Sequence, residues 1–513
     1  MYYFVNEYLY DKNSGIEHAE FKRLQLFKHL HVPAKLVTRE YNPMLHRIIT
    51  KFGLESDDVV NMFDFFQGAV ELDTDQAKIQ RAAINFRYEI EPDPTISKVY
   101  RGDLLNNRVL FIAGTYGQLN VVESFDRYQN LIRAEQWDWR GFKSCIKYYD
   151  ADRKVIREEY LNPEGTVVIE AAYGSDGIAQ SDMTYIRLVN YQGEDYYFYN
   201  IEELFDFFLS ELDKQQTPGE NAYIADRPLT TYKPVMNIPG TSRKFIYLPM
   251  VQTEAEANDK NRSYILATGK LNPIYEYAFA KKNIDKLSGI IVATKAQQAD
   301  IADRVEKIIH ADVPVIAIPA ATVPGPQTTP TSKKDQIIFV GRLGNGKGIV
   351  RLIDMFQQIH NKLTTLKLLI YGYGEAEASA RQEAKNLGIE DVVDFKDYQV
   401  DLKSAYAESK LFVTTTETDV EPLAMTEAAS FGLPMAAFDI PYGPREVIHD
   451  GWNGLLFRDG ELKEMAEGIV ALLKDPQRLE EYGTNAKKTA EQFSDAEIGK
   501  LWQEKIITDG VRK

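Results

Sequence analysis

The spacing of apolar and polar residues changes rhythm three times along the chain. Residues 1–75 open on an apolar run, YYFVN. A glycine-containing turn (KNSGIEHAE), an amphipathic stretch (EFKRLQLFKHL) and a second apolar run (AKLVTREY) follow. This is a strand–turn–helix–strand pattern. Residues 80–200 read as short runs punctuated by turn signals: RVLFIAGTYGQLNVVESFD, then GFKSCIKYYDADRKVIREEYLNPEGTVVIEAAYGSDG, then MTYIRLVNYQGEDYYFYN. Asp-Ala-Asp, Asn-Pro-Glu-Gly and Gly-Ser-Asp-Gly are hairpin-type connections, so this stretch predicts an antiparallel meander. From 201 the strand–helix pattern resumes. IEELFDFFLSELDK predicts an amphipathic helix, RKFIYLP a strand, LSGIIVATKAQQADIADRV a strand and helix, and VPVIAIP a strand. A Pro-, Thr- and Lys-rich stretch at 321–335 reads as a linker. Beyond it QIIFVGRL, LKLLIYGYG, DVVDFKD, KLFVTTTE, LPMAAFD and NGLLF alternate with helical segments, and AEIGKLWQEKIITDGVRK predicts a terminal helix. Apolar strands alternating with helices predict parallel sheets covered on both faces.

The expected organisation is α/β, with two Rossmann-like domains facing a cleft. Residues 1–78 and 201–325 form the first, 79–200 an inserted β-meander, 326–495 the second, and 496–513 a C-terminal helix. Ligands are expected beyond the carboxyl ends of the strands.

Composition narrows the function. Hydrophobic residues make up 44% and aromatics 12%, enough for large cores. The formal net charge is −16, which disfavours nucleic acid and counts against polyanionic acceptors. A single cysteine, Cys145, excludes an intramolecular disulfide and a cysteine metal cluster. The seven histidines show no metal-ligand spacing. The N-terminus lacks a signal-peptide pattern and no apolar run of membrane-spanning length occurs, so a cytoplasmic chain with at most peripheral membrane contact is expected.

Three segments carry candidate chemistry. In VGRLGNGKGIVRLIDMF (340–356) a strand ends at Val340, and Arg342 and Lys347 follow among glycines before a helix. Glycines admit close approach of backbone to phosphate, the helix adds its positive end, and the two cations can neutralise a departing diphosphate. The competing reading is a plain strand-to-helix turn with solvated cations. In YGYGEAE (371–377) Gly372 closes another strand, a weaker signal. In TETDVEPLAMTEAASFGLP (416–434) Glu427, read as a carboxylate at a helix start, can accept ribose hydroxyls. Asp419 is either a sugar-binding carboxylate or an ordinary helix cap. Tyr148, Tyr149, Tyr160, Tyr173, Tyr185, Tyr196, Tyr197 and Tyr199 crowd the meander, where sheet packing competes with an exposed docking surface.

GRLGNGK, YGYGE, TTETDVEPLAMTEAASFGLPMAAFD and DGWNGLLF resemble, in order and spacing, the C-terminal half of family 4 retaining glycosyltransferases. FDIPYGPREVIHDGWNG, YFVNEYLYDKNSGIEHAEFKRLQLFKHL and NMFDFFQGAV are similar to bacterial transferases that O-glycosylate serine-rich adhesins in accessory secretion, and to relatives acting on Ser-Asp repeats. The resemblance implies a glycosyltransferase B-type fold and a metal-independent UDP-sugar donor, with no further cofactor. It implies a nucleotide-sugar site at Gly15, Arg342, Lys347, Gly372 and Glu427, with Asp419, Arg342 and Lys347 in catalytic positions.

The family pattern also fails in places. The first acid of its Glu pair is Asp419 here, one methylene short. Val420-Glu421-Pro422 replaces a glycine-rich segment, Asp397 replaces a glycine, and FIYLPMVQTEAEANDKN lacks the family's histidine. The expected function is therefore a subunit of a complex transferring GlcNAc from UDP-GlcNAc to Ser/Thr of an adhesin. In that complex the chain stabilises a related catalytic subunit and binds acceptor. The alternatives are an active retaining transferase and a poly(glycerol- or ribitol-phosphate) glucosyltransferase.

Overall fold

The computed structural model describes residues 1–507 apart from 76, 79, 80, 83, 85, 86, 175–181, 216–218, 254–265, 321, 329–332 and 421. Its strands form sheets of seven, ten and six. The seven-stranded sheet runs, in spatial order, Val315–Ala317, Gly289–Val292, Arg243–Tyr247, Ala222–Ala225, Tyr2–Asn6, Ala34–Thr38 and Val59–Asn61. Every pairing in it is parallel. Strand order reverses between Tyr2–Asn6 and Ala222–Ala225, because the first crossovers leave to one side and the later ones to the other. The six-stranded sheet is also parallel and reverses between Gln336–Val340 and Leu411–Val413. At each reversal the loops diverge and leave a crevice at the carboxyl ends.

The ten-stranded sheet follows chain order from Glu89–Glu91 to Glu194–Phe198, and every neighbour pair is antiparallel. Two parallel sheets with an inserted antiparallel meander is the architecture that the hydrophobic pattern predicts. The hairpin signals act as turn chemistry requires. Asp150 Oδ1 accepts from the backbone N–H of Asp152 and Lys154, and Gly165 closes the Asn162 turn at φ +87°. Of the Gly-Ser-Asp-Gly turn at 174–177, residues 175–177 lie outside the described residues.

The meander shares its core with the first parallel sheet. Cys145, Tyr160, Ile169 and Leu188 pack in one apolar cluster with Tyr3, Val5, Phe63 and Phe208. The tyrosines divide accordingly. The Tyr160 and Tyr173 hydroxyls both donate to Glu158 on the inner side, whereas Tyr197 and Tyr199 are 65% and 77% exposed. A buried polar joint locks the two sheets. Arg140 of the meander donates to Asp64 Oδ1 (2.5 Å), to the Ala69 carbonyl (2.5 Å) and to Asp138 Oδ1 (2.7 Å). His46 Nε2 lies 2.8 Å from the other Asp64 oxygen. Burial pushes the Asp64 carboxyl up, but the His46 and Arg140 contacts outweigh it and hold it below its usual range.

Removing the Arg140 charge strands two carboxylates in the core. Arg140→Met is expected to cost about 3–5 kcal/mol in urea unfolding followed by circular dichroism. A loss below about 1 kcal/mol would show that the joint is peripheral to stability.

Candidate active site in the interdomain cleft

A cleft of about 440 Å³ opens between the carboxyl ends of the two parallel sheets. Gly15, Arg342, Lys347, Gly372, Asp419 and Glu427 all line it. The loop after Gln336–Val340 passes through a short turn, Asn345–Lys347, into the helix Ile349–His360. Gly348 lies between them at φ +62°, where a Cβ would come 2.2 Å from the Thr415 carbonyl oxygen. Gly372, at φ +146°, would place a Cβ 1.9 Å from the Gly341 carbonyl oxygen. Both glycines are therefore demanded by loop packing on loop, which carries the side chains of Arg342 and Lys347 to the cleft wall.

Lys347 Nζ lies 2.8 Å from Asp419 Oδ2. The Asp419 backbone is fixed by the neighbouring loop: its carbonyl accepts from the N–H of Tyr442 (2.8 Å) and Gly443 (2.9 Å). Pro422, not Asp419, stands at the N-cap of the next helix. Val420 is 4% exposed, and Glu421 lies outside the described residues. Arg342 is largely exposed and meets Glu375 only at 3.5 Å, a surface contact worth under about 1 kcal/mol. Its guanidinium is thus available to an anion.

Glu427 departs from its expected place. The helix is Leu423–Ser430, so Glu427 sits one turn inside it rather than at its start. The earlier start follows from Pro422, which ends the preceding loop and needs no N–H partner. Both Glu427 oxygens are engaged: Lys22 Nζ approaches Oε1 at 2.5 Å, and the Tyr406 hydroxyl donates to Oε2 at 3.1 Å. Burial pushes this carboxyl up, but Lys22 and Tyr406 outweigh it and leave it below its ordinary range.

The opposite wall is the helix Gly15–His29, capped by reciprocal Ser14 and Glu17 bonds. A Cβ on Gly15 would meet only Leu423, at 3.7 Å, so this glycine is not sterically required. His18 Nε2 lies 2.8 Å from the Tyr398 hydroxyl across the cleft; burial lowers the imidazole pKa, and Glu427 partly offsets it. Tyr247, Pro249 and Met250 line the cleft where the family's histidine is missing, and 254–265 lie outside the described residues.

Behind that helix, at the strand-order reversal, sits a polar cluster that sequence reading missed. Arg23 Nη2 donates to both Asp226 oxygens at 2.7 Å, Arg227 pairs with Glu17, and Asn6 Nδ2 donates to Glu17 at 3.1 Å. Glu20 is fully buried; burial, reinforced by Asp226 and Glu17, raises its pKa well above the usual range. Its Oε2 accepts from Asn6 Nδ2 at 2.5 Å. The available signal was the polar residues directly after apolar strands, in YYFVNEY and AYIADR. Thr414 and Thr416, whose hydroxyls are 2.7 Å apart, also line the cleft and were not singled out.

Comparison with known proteins agrees with this fold. Residues 326–489 match the family model of glycosyl transferases group 1, and residues 2–248 match that of an accessory Sec system protein. The chain is 26% identical to the UDP-N-acetylglucosamine--peptide N-acetylglucosaminyltransferase GtfA subunit of Streptococcus gordonii, over 96% of this chain and 95% of that one. It is 23% identical to the poly(ribitol-phosphate) alpha-N-acetylglucosaminyltransferase of Staphylococcus aureus, over 95% and 96%. The solved structure of the pneumococcal O-GlcNAc transferase GtfA in complex with UDP and GlcNAc superposes with a TM-score of 0.85 at 20% identity, covering 100% and 99% of the two chains.

The buried acid yields a pH-dependent prediction. Burial holds the folded pKa of Glu20 above its unfolded value of about 4.3, so its contribution to stability is full at low pH and declines as pH rises toward the folded pKa. Glu20→Gln removes that decline. Its melting temperature should match the parent at about pH 4 and exceed it by a few degrees at about pH 8. Parallel stability curves for the two proteins would place an ionised carboxylate at Glu20.

Proposed function

We propose that this chain, a glycosyltransferase related to the GtfA subunits, belongs to a bacterial protein O-glycosylation system of the accessory-secretion type, and that it uses UDP-GlcNAc and a Ser/Thr-rich polypeptide acceptor. The observation that carries this reading is the convergence of Arg342, Lys347, Asp419 and Glu427 on one cleft between two parallel sheets. In this role Arg342 and Lys347 neutralise the diphosphate as it leaves, and Glu427 faces the ribose. Asp419 faces the donor sugar from a shorter side chain than the family's Glu. No metal ion is invoked, because the two cations supply the charge that the diphosphate requires.

Within that system the chain acts as the subunit that stabilises a related catalytic partner and holds the acceptor. Two features support this finer role. Pro422 has no N–H to offer a sugar hydroxyl. The wall at Tyr247, Pro249 and Met250 is apolar apart from the tyrosine hydroxyl, which is bonded to the Ile318 carbonyl. The diphosphate side keeps both its cations. An active retaining transferase is the second reading, favoured by the Lys347–Asp419 pair that persists in the cleft. A polyol-phosphate acceptor fits the net charge of −16 less well than a polypeptide does.

The chain incubated alone with labelled UDP-GlcNAc and a Ser-rich peptide is expected to show little transfer, restored by a related catalytic subunit. Multiple turnover without a partner would establish the second reading. Arg342→Ala is expected to weaken UDP binding in calorimetry by about 1.5–3 kcal/mol. Unchanged affinity would remove Arg342 from the diphosphate site.

A further inference from the structure

The two domains are bridged at several points: the Tyr442 hydroxyl accepts from Gln252 Nε2 and donates to Asp300, and a second group of bridges comes from one short stretch of the N-terminal wall. Lys12 Nζ lies 2.7 Å from Asp397 Oδ1, and the Tyr373 hydroxyl donates to the Lys12 carbonyl at 3.3 Å. One helical turn apart on Gly15–His29, His18 reaches Tyr398 and Lys22 reaches Glu427. Asp397 stands where the resemblance led us to expect glycine, so one bridge is built from a departure from the family pattern.

The bridges differ in where they land. Lys12 and His18 contact groups at the rim that no part of the proposed nucleotide site uses. Lys22 instead takes a lone pair on the carboxylate facing the ribose position, while Tyr406 takes the other oxygen. A carboxylate bonded on both oxygens, one of them to an ammonium, is a poorer acceptor for two ribose hydroxyls. Lys22 comes from the opposite domain, so its grip on Glu427 is also one of the contacts that join the two cleft walls.

We propose that Lys22 is a built-in competitor for the nucleotide: its ammonium occupies the ribose-facing carboxylate of Glu427, and a nucleoside diphosphate seats fully only by displacing it. This rests on the nucleotide reading given above. Nucleotide binding and release of this interdomain bridge are then one event, and the affinity of the cleft is set partly by a residue of the other domain. A ligand can shift a conformational equilibrium only by what it gains in one state over the other, and here the gain is the freed carboxylate.

The test is calorimetry of UDP against the full chain and Lys22→Met, which keeps the apolar stem and removes the charge. The ion pair is partly exposed, so UDP is expected to bind Lys22→Met about fivefold more tightly than the parent. Inorganic pyrophosphate, which has no ribose, is expected to bind the variant no more tightly. Lys22→Arg keeps the competing charge and should stay close to the parent, and circular dichroism confirms that each variant is folded. UDP bound by the parent with equal or greater affinity than by Lys22→Met overturns the competition while leaving the nucleotide reading intact. An equal gain for pyrophosphate also overturns it, because the effect would then lie outside the ribose. Failure of parent and variant alike to bind UDP overturns both the competition and the nucleotide reading.

Discussion

A parallel strand cannot be reached by a tight turn; the chain must cross over the sheet and return in the same direction. When crossovers first leave to one side and later to the other, the loops at the point of reversal part and no backbone fills the gap. Both parallel sheets of this chain obey that constraint once each. The polar clusters of the two parallel sheets lie at those two gaps: Arg342, Lys347 and Asp419 around one, Asn6, Arg23 and Asp226 around the other.

The legible part of the molecule was what a local pattern encodes. Apolar strands between helices announced the parallel sheets, and Asp150 and Gly165 announced their hairpins because side-chain and φ requirements act over a few residues. Arg342, Lys347, Asp419 and Glu427 reached the cleft because each follows a strand end or a loop of fixed length. What stayed hidden depended on distance in sequence. Lys22 and Glu427 are separated by 405 positions, and no periodicity connects them. Glu427 was misplaced along its helix because the influence of Pro422 on the helix start went unread. Gly372 looked like a ligand-approach glycine, and only three-dimensional contact shows that the neighbouring Gly341 carbonyl claims the space.

The meander shows the same limit on a larger scale. Its strands and turns were readable one by one, but its attachment was not. Arg140 carries no sequence mark of its partnership with Asp64 and Ala69. The shared apolar cluster makes the insertion a wall of the first domain rather than an appended lobe, so stripping it away would expose Phe63, Phe66 and Phe208 to water.

The position of the first strand also bears on synthesis. Tyr2–Asn6 is interior to its sheet, flanked by Ala34–Thr38 and by Ala222–Ala225. The first neighbour leaves the ribosome almost at once. The second follows more than two hundred residues later, roughly 10–40 s at ordinary elongation rates. Throughout that interval a nascent apolar strand presents an unpaired edge while the meander emerges and pairs with itself. The long antiparallel insertion is thus also a delay line. In the cell, this protein's exposure to chaperones and to wrong pairing is set by the length of chain between its two central strands.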